Sequence, residues 1–170
     1  YIKRGSICAV TGSFDPMTRG HVEVVRRALK MFDKAAVVIA VNDTKPSAFP
    51  LEVREKIAKK ALEGFENVSV DICEGYVYKY CNKKGIPVIV RGLRGEQDRE
   101  YEEFMARYNL EKGGVSTVFT SAEGLTDISS TALRKALAEE DEKAIERLCA
   151  PGTSRLVKEE YKKLHAAGGK

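Results

Sequence analysis

Residues 7–21 read ICAVTGSFDPMTRGH, and this stretch decides the fold. Its first four residues, Ile7–Val10, form a short apolar run whose length and composition are typical of a buried strand. Gly12 lets the backbone pass close to a ligand. Gly20 and His21 open a helix, whose free N–H groups attract anions. The stretch therefore predicts a strand–loop–helix unit with a phosphate-binding loop.

Outward from this unit, buried strands and amphipathic helices alternate along the chain. Apolar runs predict four more strands, at Ala35–Val41, Val68–Ile72, Pro87–Val90 and Val115–Thr120. Helical spacing predicts helices at His21–Phe32, Leu51–Leu62, Tyr76–Lys84, Asp98–Lys112, Ser129–Leu137, Glu142–Leu148 and Ser154–Leu164. This order predicts an α/β fold with a doubly wound five-stranded parallel sheet and a helical C-terminus. We take residues 1–170 as a single domain.

Composition excludes several classes of protein. The 170 residues are 43% hydrophobic and 32% charged, which is enough to bury a core and excludes a disordered tail. No run approaches the roughly 18 apolar residues of a membrane-spanning helix. The net charge of +4 is spread among acidic residues, which suits a small anionic ligand and does not indicate nucleic-acid binding. Without a secretory signal or metal-ligand spacing, the four cysteines predict reduced thiols and a cytoplasmic protein.

Cationic and hydroxyl side chains follow the predicted strands. His21, Lys45, Arg91 and Arg94 come after the first, second and fourth strands, and Ser129–Thr131 opens a helix after the fifth. In a doubly wound sheet these positions share one edge, where ligands bind. There is no P-loop motif and no evident nucleophile. The set predicts direct phosphoryl or nucleotidyl transfer by positioning and charge stabilisation.

Each of these residues also has an ordinary structural interpretation. The arginines could pair with the acidic helix that holds Asp98 and Glu102. The hydroxyls at Ser129–Thr131 could only cap their helix. Lys45 could be a solvated loop residue, and His21 could be a surface cap.

Three motifs carry a resemblance to a known family. Gly12–Pro16 with Thr18, Gly20 and His21 resembles the signature of the nucleotidyltransferase superfamily with the T/H-x-G-H motif, and Ile128–Thr131 resembles its I-S-S-[ST] element. Arg91-Gly92-Leu93-Arg94, followed by Asp98, Tyr101 and Glu102, is similar to the phosphopantetheine adenylyltransferases. The resemblance runs from about residue 7 to about residue 165, and it implies a Rossmann-like nucleotidyltransferase fold.

The resemblance implies a reaction and a set of roles. ATP and 4′-phosphopantetheine would give dephospho-coenzyme A and pyrophosphate, with Mg²⁺, by in-line attack of the acceptor phosphate on the α-phosphate. His21, Lys45 and Arg91 would be catalytic, and the acceptor would contact Ser13, Lys45, Val77 and Arg91. ATP would contact Ser13, Phe14, His21, Gly92, Leu93, Arg94, Glu102, Leu125, Thr126, Asp127, Ile128, Ser129, Ser130 and Thr131. No metal ligand is assigned among the protein side chains, and a hexamer is implied.

The sequence departs from the family pattern at several positions. Asp127 places a carboxylate near the triphosphate, where it would repel phosphate unless Mg²⁺ or an arginine intervenes. Arg19 stands where asparagine is usual, which adds a cation. Two alternatives stay open: a nicotinate mononucleotide adenylyltransferase, which the Ser-Ser-Thr-x-Leu-Arg ending also resembles, and a catalytically impaired nucleotide-binding module.

Overall fold

The structure is a computed structural model, and it describes residues 5–42, 44–94, 96–121 and 124–167. The strands are β1 Ile7–Gly12, β2 Lys34–Val41, β3 Val68–Glu74, β4 Val88–Leu93 and β5 Ser116–Ser121. The helices are α1 Arg19–Ala28, α2 Leu51–Leu62, α3 Val77–Lys84, α4 Glu96–Gly113, α5 Ser130–Ala138, α6 Glu142–Leu148 and α7 Ser154–Ala167. Strands and helices alternate up to β5, and three helices follow, as the sequence predicts.

The sheet is parallel throughout, with the strand order β3-β2-β1-β4-β5. The chain winds outward from β1 to β3, returns to the other side of β1 and then winds outward again. The strand order therefore reverses between β1 and β4. In such sheets a crevice opens at this point, outside the carboxyl ends of the strands. The predicted doubly wound α/β fold is confirmed.

The core has two layers, one on each face of the sheet. One buried cluster combines β1 and β2 side chains with Val22, Val25 and Ala58 of the helices on that face. The other combines Ala9, Val38 and Ile89 with Cys81 and Val115. A third cluster joins α5, α6 and α7 to the start of α2 and to Ile128. The C-terminal helices are thereby packed beside the carboxyl edge of the sheet.

The ends of several elements differ from the prediction. β4 continues through Leu93, because its pairing with β5 runs on to Leu93 and Ser121 beyond the apolar run. Arg91 and Gly92 therefore lie within the strand. The sequence prediction, which placed them after it, was wrong. α1 begins at Arg19, because the side chain of Thr18 accepts a hydrogen bond from the N–H of His21 and caps the helix. α3 ends at Lys84, as predicted, and Gly85 closes it in a left-handed conformation.

None of the helices in the described part of the chain is both long enough and apolar enough to cross a membrane. The four cysteines, Cys8, Cys73, Cys81 and Cys149, are buried free thiols.

Candidate active site

A cleft of about 960 Å³ lies at the carboxyl ends of β1, β2 and β4. Its lining includes the predicted site residues Ser13, Phe14, His21, Lys45, Val77, Arg91, Gly92, Arg94, Glu102, Leu125, Ile128, Ser129, Ser130 and Thr131. Leu93, Thr126 and Asp127 lie outside this lining. Residues from every predicted loop thus meet in one cavity.

The loop between β1 and α1 folds an aromatic ring against the histidine. Phe14 has a positive φ of 47°, and its buried ring meets the His21 ring edge to face at 5.0 Å. A Cβ atom on Gly12 would lie 3.2 Å from this ring. Glycine at position 12 therefore lets Phe14 turn back under the loop and support His21.

The hydrogen bonds of His21 fix its tautomer. The backbone N–H of Thr18 donates to His21 Nδ1 at 2.9 Å, so the proton of the neutral ring is on Nε2. Burial and the positive charges of Arg94 and Arg91 lower the pKa of His21 to about 3. At neutral pH the ring is uncharged. It can donate one hydrogen bond, from Nε2, to an acceptor in the cleft.

Arg91 is held by protein acceptors. Its Nε donates to Glu102 Oε2 at 2.9 Å, its Nη2 pairs with Glu102 Oε1, and its Nη1 donates to the carbonyl oxygen of Thr11. Burial acts to lower the pKa of Arg91, but the hydrogen bond and charge of Glu102 outweigh it and raise the pKa above its ordinary value. The ion pair with the acidic helix, which the sequence left open, is therefore formed.

Arg94 lies beside the segment that precedes α5. Its Nη1 donates to the carbonyl oxygen of Ile128 at 3.4 Å, and its Nη2 lies 3.6 Å from Asp98 Oδ2. The side chain is exposed, so this pair is weak. Arg94 can exchange the carboxylate for a phosphate oxygen at little cost.

The start of α5 is tied to the loop that holds the histidine. Ser129 caps the helix through Ala132 N–H, which is the structural role that the sequence left open for it. Ser130 Oγ donates to the carbonyl oxygen of Pro16 at 2.8 Å. Arg134, which sequence reasoning missed, donates to the carbonyl oxygen of Asp15 at 2.8 Å and to Thr131 Oγ1 at 3.1 Å.

Lys45 lies in the loop between β2 and α2, on the side of the cleft opposite Arg94 and the start of α5. It is exposed, and no carboxylate of the described residues forms an ion pair with it. Ser13 is also exposed at the cleft. The cleft therefore has cationic or hydroxyl groups on both sides of His21.

Comparisons with known proteins agree with this geometry. The family model of cytidylyltransferase-like proteins matches residues 9–136. A phosphopantetheine adenylyltransferase of Arthrobacter sp. (strain FB24) is 39% identical over 78% of this chain and 83% of its own. One from Thermotoga neapolitana is 40% identical over 76% and 81%. The chain belongs to the phosphopantetheine adenylyltransferase family.

The fold of this nucleotidyltransferase family recurs in more distant structures. The crystal structure of a bifunctional NMN adenylyltransferase/ADP ribose pyrophosphatase from Francisella tularensis superposes with a TM-score of 0.64 at 15% identity. The match covers 96% of this chain and 53% of that longer one. At this identity the likeness concerns the fold.

Asp127 and Arg19, which depart from the adenylyltransferase pattern, form their contacts outside the cleft. Asp127 Oδ2 lies 2.8 Å from Arg147 Nη1, so an arginine does neutralise the carboxylate beside the nucleotide segment. Arg19 donates through Nε to the carbonyl oxygen of Arg147 at 3.1 Å and does not line the cleft. The extra cation expected from Arg19 is therefore not part of the adenylyltransferase cleft.

The sequence predicted only part of the wall that α4 forms along the cleft. α4 contributes Tyr101, Met105, Ala106 and Asn109 next to the predicted Glu102, and α3 contributes the predicted Val77. The spacing of three and four residues along α4 could have identified this face. Arg54 and Arg134 also line the cleft, and both donate to backbone carbonyl oxygens of the loop after β1. Such partners leave no sequence signal, although the Ser-Ser-Thr-x-Leu-Arg ending includes Arg134.

Proposed function

We propose that this protein transfers the adenylyl group of ATP to 4′-phosphopantetheine, giving dephospho-coenzyme A and pyrophosphate. The observation that carries the proposal is His21: a neutral ring with its donor nitrogen in a cleft at the switch point of the sheet, in a chain of the adenylyltransferase family. Such a group stabilises a transition state without requiring a proton transfer.

The reaction we propose is a direct in-line displacement. The acceptor phosphate attacks the α-phosphorus, the bond to the β-phosphate oxygen breaks, and pyrophosphate leaves. His21 Nε2–H donates to an α-phosphate oxygen as negative charge builds up there, and Phe14 and Thr18 hold the ring in place. No described side chain has to form a covalent intermediate.

The two substrates occupy opposite sides of His21 in this proposal. On the acceptor side, Ser13 and Lys45 bind the phosphate, Val77 contacts the pantetheine arm, and Arg91, held in place by Glu102, contacts the phosphate beside them. On the nucleotide side, Arg94 and the start of α5 bind the phosphates, where a helix N-terminus favours anions. The remaining ATP contacts we propose are Ser13, Phe14, Gly92, Leu93, Glu102 and residues 125–131.

Mg²⁺ enters this scheme with ATP. Among the described residues, no cluster of three metal-ligating side chains exists, and the carboxylates of Asp15 and Glu102 are bound to other groups of the protein. Mg²⁺ commonly binds substrate phosphates and keeps several waters. Coordination by the triphosphate therefore fits the residues present.

The proposal extends to domain organisation, localisation and assembly. We propose that residues 1–170 form one domain, as the chain length favours, and that the protein works in the cytoplasm, as its cysteines indicate. We also propose that it assembles as a hexamer, as the family resemblance implies. Phe104 and Leu110 of α4 are 58% and 53% exposed, and such apolar side chains are available for contacts between subunits.

The test is pyrophosphate release from MgATP with two acceptors in parallel. Release with 4′-phosphopantetheine and not with nicotinate mononucleotide is the expected result. Release with the mononucleotide alone contradicts the proposal and favours the alternative enzyme. Thermal stabilisation by ATP without release of pyrophosphate, with either acceptor, identifies a binding module instead.

A further inference from the structure

Arg54 is a buried cation that the proposed reaction does not use. It lies on α2, its residue is 6% exposed, and it lines the cleft. Within the described ranges, no carboxylate forms an ion pair with it. Buried arginines are normally paired. The absence of a pair indicates that this charge serves something other than the core.

The guanidinium of Arg54 binds two loops at once. Its Nη1 donates to the carbonyl oxygen of Ser13 at 3.1 Å, and its Nε donates to the carbonyl oxygen of Phe49 at 3.1 Å. Ser13 belongs to the loop after β1, and Phe49 to the loop after β2 that also holds Lys45. The third nitrogen, Nη2, has no acceptor among the described residues.

The carboxylate of Asp15 joins the same loops from the other side. Its Oδ2 accepts from Ala48 N–H and its Oδ1 accepts from Phe49 N–H, both at 2.8 Å. Asp15 is 8% exposed, so these bonds are shielded from water. Arg54 and Asp15 together fix the distance between the loop of Ser13 and the loop of Lys45.

We infer that Arg54 is a positioning residue for a phosphate group. It holds the Ser13 loop against the Lys45 loop, and its unpaired charge favours an anion between them. The inference rests on the proposed function in one respect, that this anion is the phosphate of the acceptor. ATP binds on the Arg94 side of His21, so its affinity depends less on the spacing of the Ser13 and Lys45 loops.

The test measures binding by calorimetry in three variants: Arg54→Met, Arg54→Lys and the control Lys59→Met. Lys59 is an exposed cation on the same helix, so its removal changes net charge equally. We expect Arg54→Met to weaken inorganic phosphate and phosphopantetheine by about tenfold and ATP by less than about threefold. Arg54→Lys keeps the charge but lacks the planar fork whose separate nitrogens reach the two carbonyls, so it recovers only part of the affinity. Lys59→Met binds all three as the wild type does.

Asp15→Asn is the second route, should Arg54→Met fail to fold. An amide replaces one acceptor oxygen by a donor that faces an N–H, which opens the same pair of loops. We expect the same selective loss of phosphate and phosphopantetheine.

Three results overturn the inference: unchanged phosphate affinity in the folded variants, an equal loss of ATP affinity, or no phosphate binding by the wild type. The proposed function is judged separately, by wild-type turnover with phosphopantetheine.

Discussion

The side chains of Arg91 and Glu102 form a bidentate ion pair between β4 and α4, with Arg91 Nε 2.9 Å from Glu102 Oε2. Because Arg91 also donates to the carbonyl oxygen of Thr11, a single guanidinium ties β1, β4 and α4 together. The floor of the cleft and its α4 wall are thus one unit, and the charge of Arg91 is fixed near His21.

Glu102→Gln tests this unit. The substitution leaves a half-buried guanidinium with a neutral partner, and we expect a loss of about 2 kcal/mol in the free energy of unfolding. Urea unfolding at pH 7 measures it. The control is Glu103→Gln on the same helix, whose carboxylate is 58% exposed and pairs weakly with Arg99. An equal loss in both variants would contradict the role assigned to the pair.

His21→Ala tests the transition-state role of the histidine. Removing one donor that acts on developing charge lowers kcat by about 10²- to 10³-fold. The affinity for ATP should change little, because the contact strengthens only as the reaction proceeds. Steady-state kinetics and ATP titration measure the two effects. A large loss of ATP affinity with little loss of kcat would assign His21 to ground-state binding instead.

His21 also makes stability depend on pH. Its pKa is about 3 in the folded protein and about 6.5 in the unfolded chain, so the unfolded state takes up a proton first as pH falls. The contribution is fully present above pH 6.5 and is lost progressively towards pH 3. Between pH 7 and pH 5 we expect a loss of about 2 kcal/mol from this group.

The measurement is the free energy of unfolding at pH 7 and pH 5 in the wild type and in His21→Gln. Carboxylates titrate in both proteins, so the difference between the two losses isolates His21. Equal losses would mean that His21 titrates normally in the folded state. Turnover should show no titration of His21 between pH 5 and pH 8, because the ring is neutral throughout.

The sequence predicts the order of elements because each parallel strand is buried on both faces and appears as an apolar run. It does not predict where β4 ends, because Arg91 and Gly92 lie in the strand through pairing with β5 and not through hydrophobicity. The end of β1 at Gly12 is likewise set by its neighbour, since its register with β2 continues to Ile39. Strand ends depend on partners that are distant in the chain.

Some site residues can likewise be predicted from local sequence, and others depend on partners that are distant in the chain. Glycine-framed motifs indicate His21 and Arg94 directly, since loop chemistry is local. The tautomer of His21 follows from a backbone contact, and the partners of Arg54 are a carbonyl 41 residues away and one 5 residues away. Every residue has a carbonyl, so such contacts carry no sequence pattern.

The pair of Asp127 and Arg147 supports a prediction on nucleotide binding. Asp127 lies next to Ile128, which lines the cleft, and its carboxylate is neutralised by Arg147 at 2.8 Å. Arg147→Met releases that charge beside the phosphates of ATP, and we expect the KM for ATP to rise about two- to fivefold at low salt, and less at high salt. Asp127→Asn alone should leave the KM unchanged, and the double variant should restore it, because no carboxylate remains to repel phosphate. Both side chains are more than half exposed, so the fold should tolerate all three variants. A raised KM in the double variant would show that Arg147 itself binds ATP.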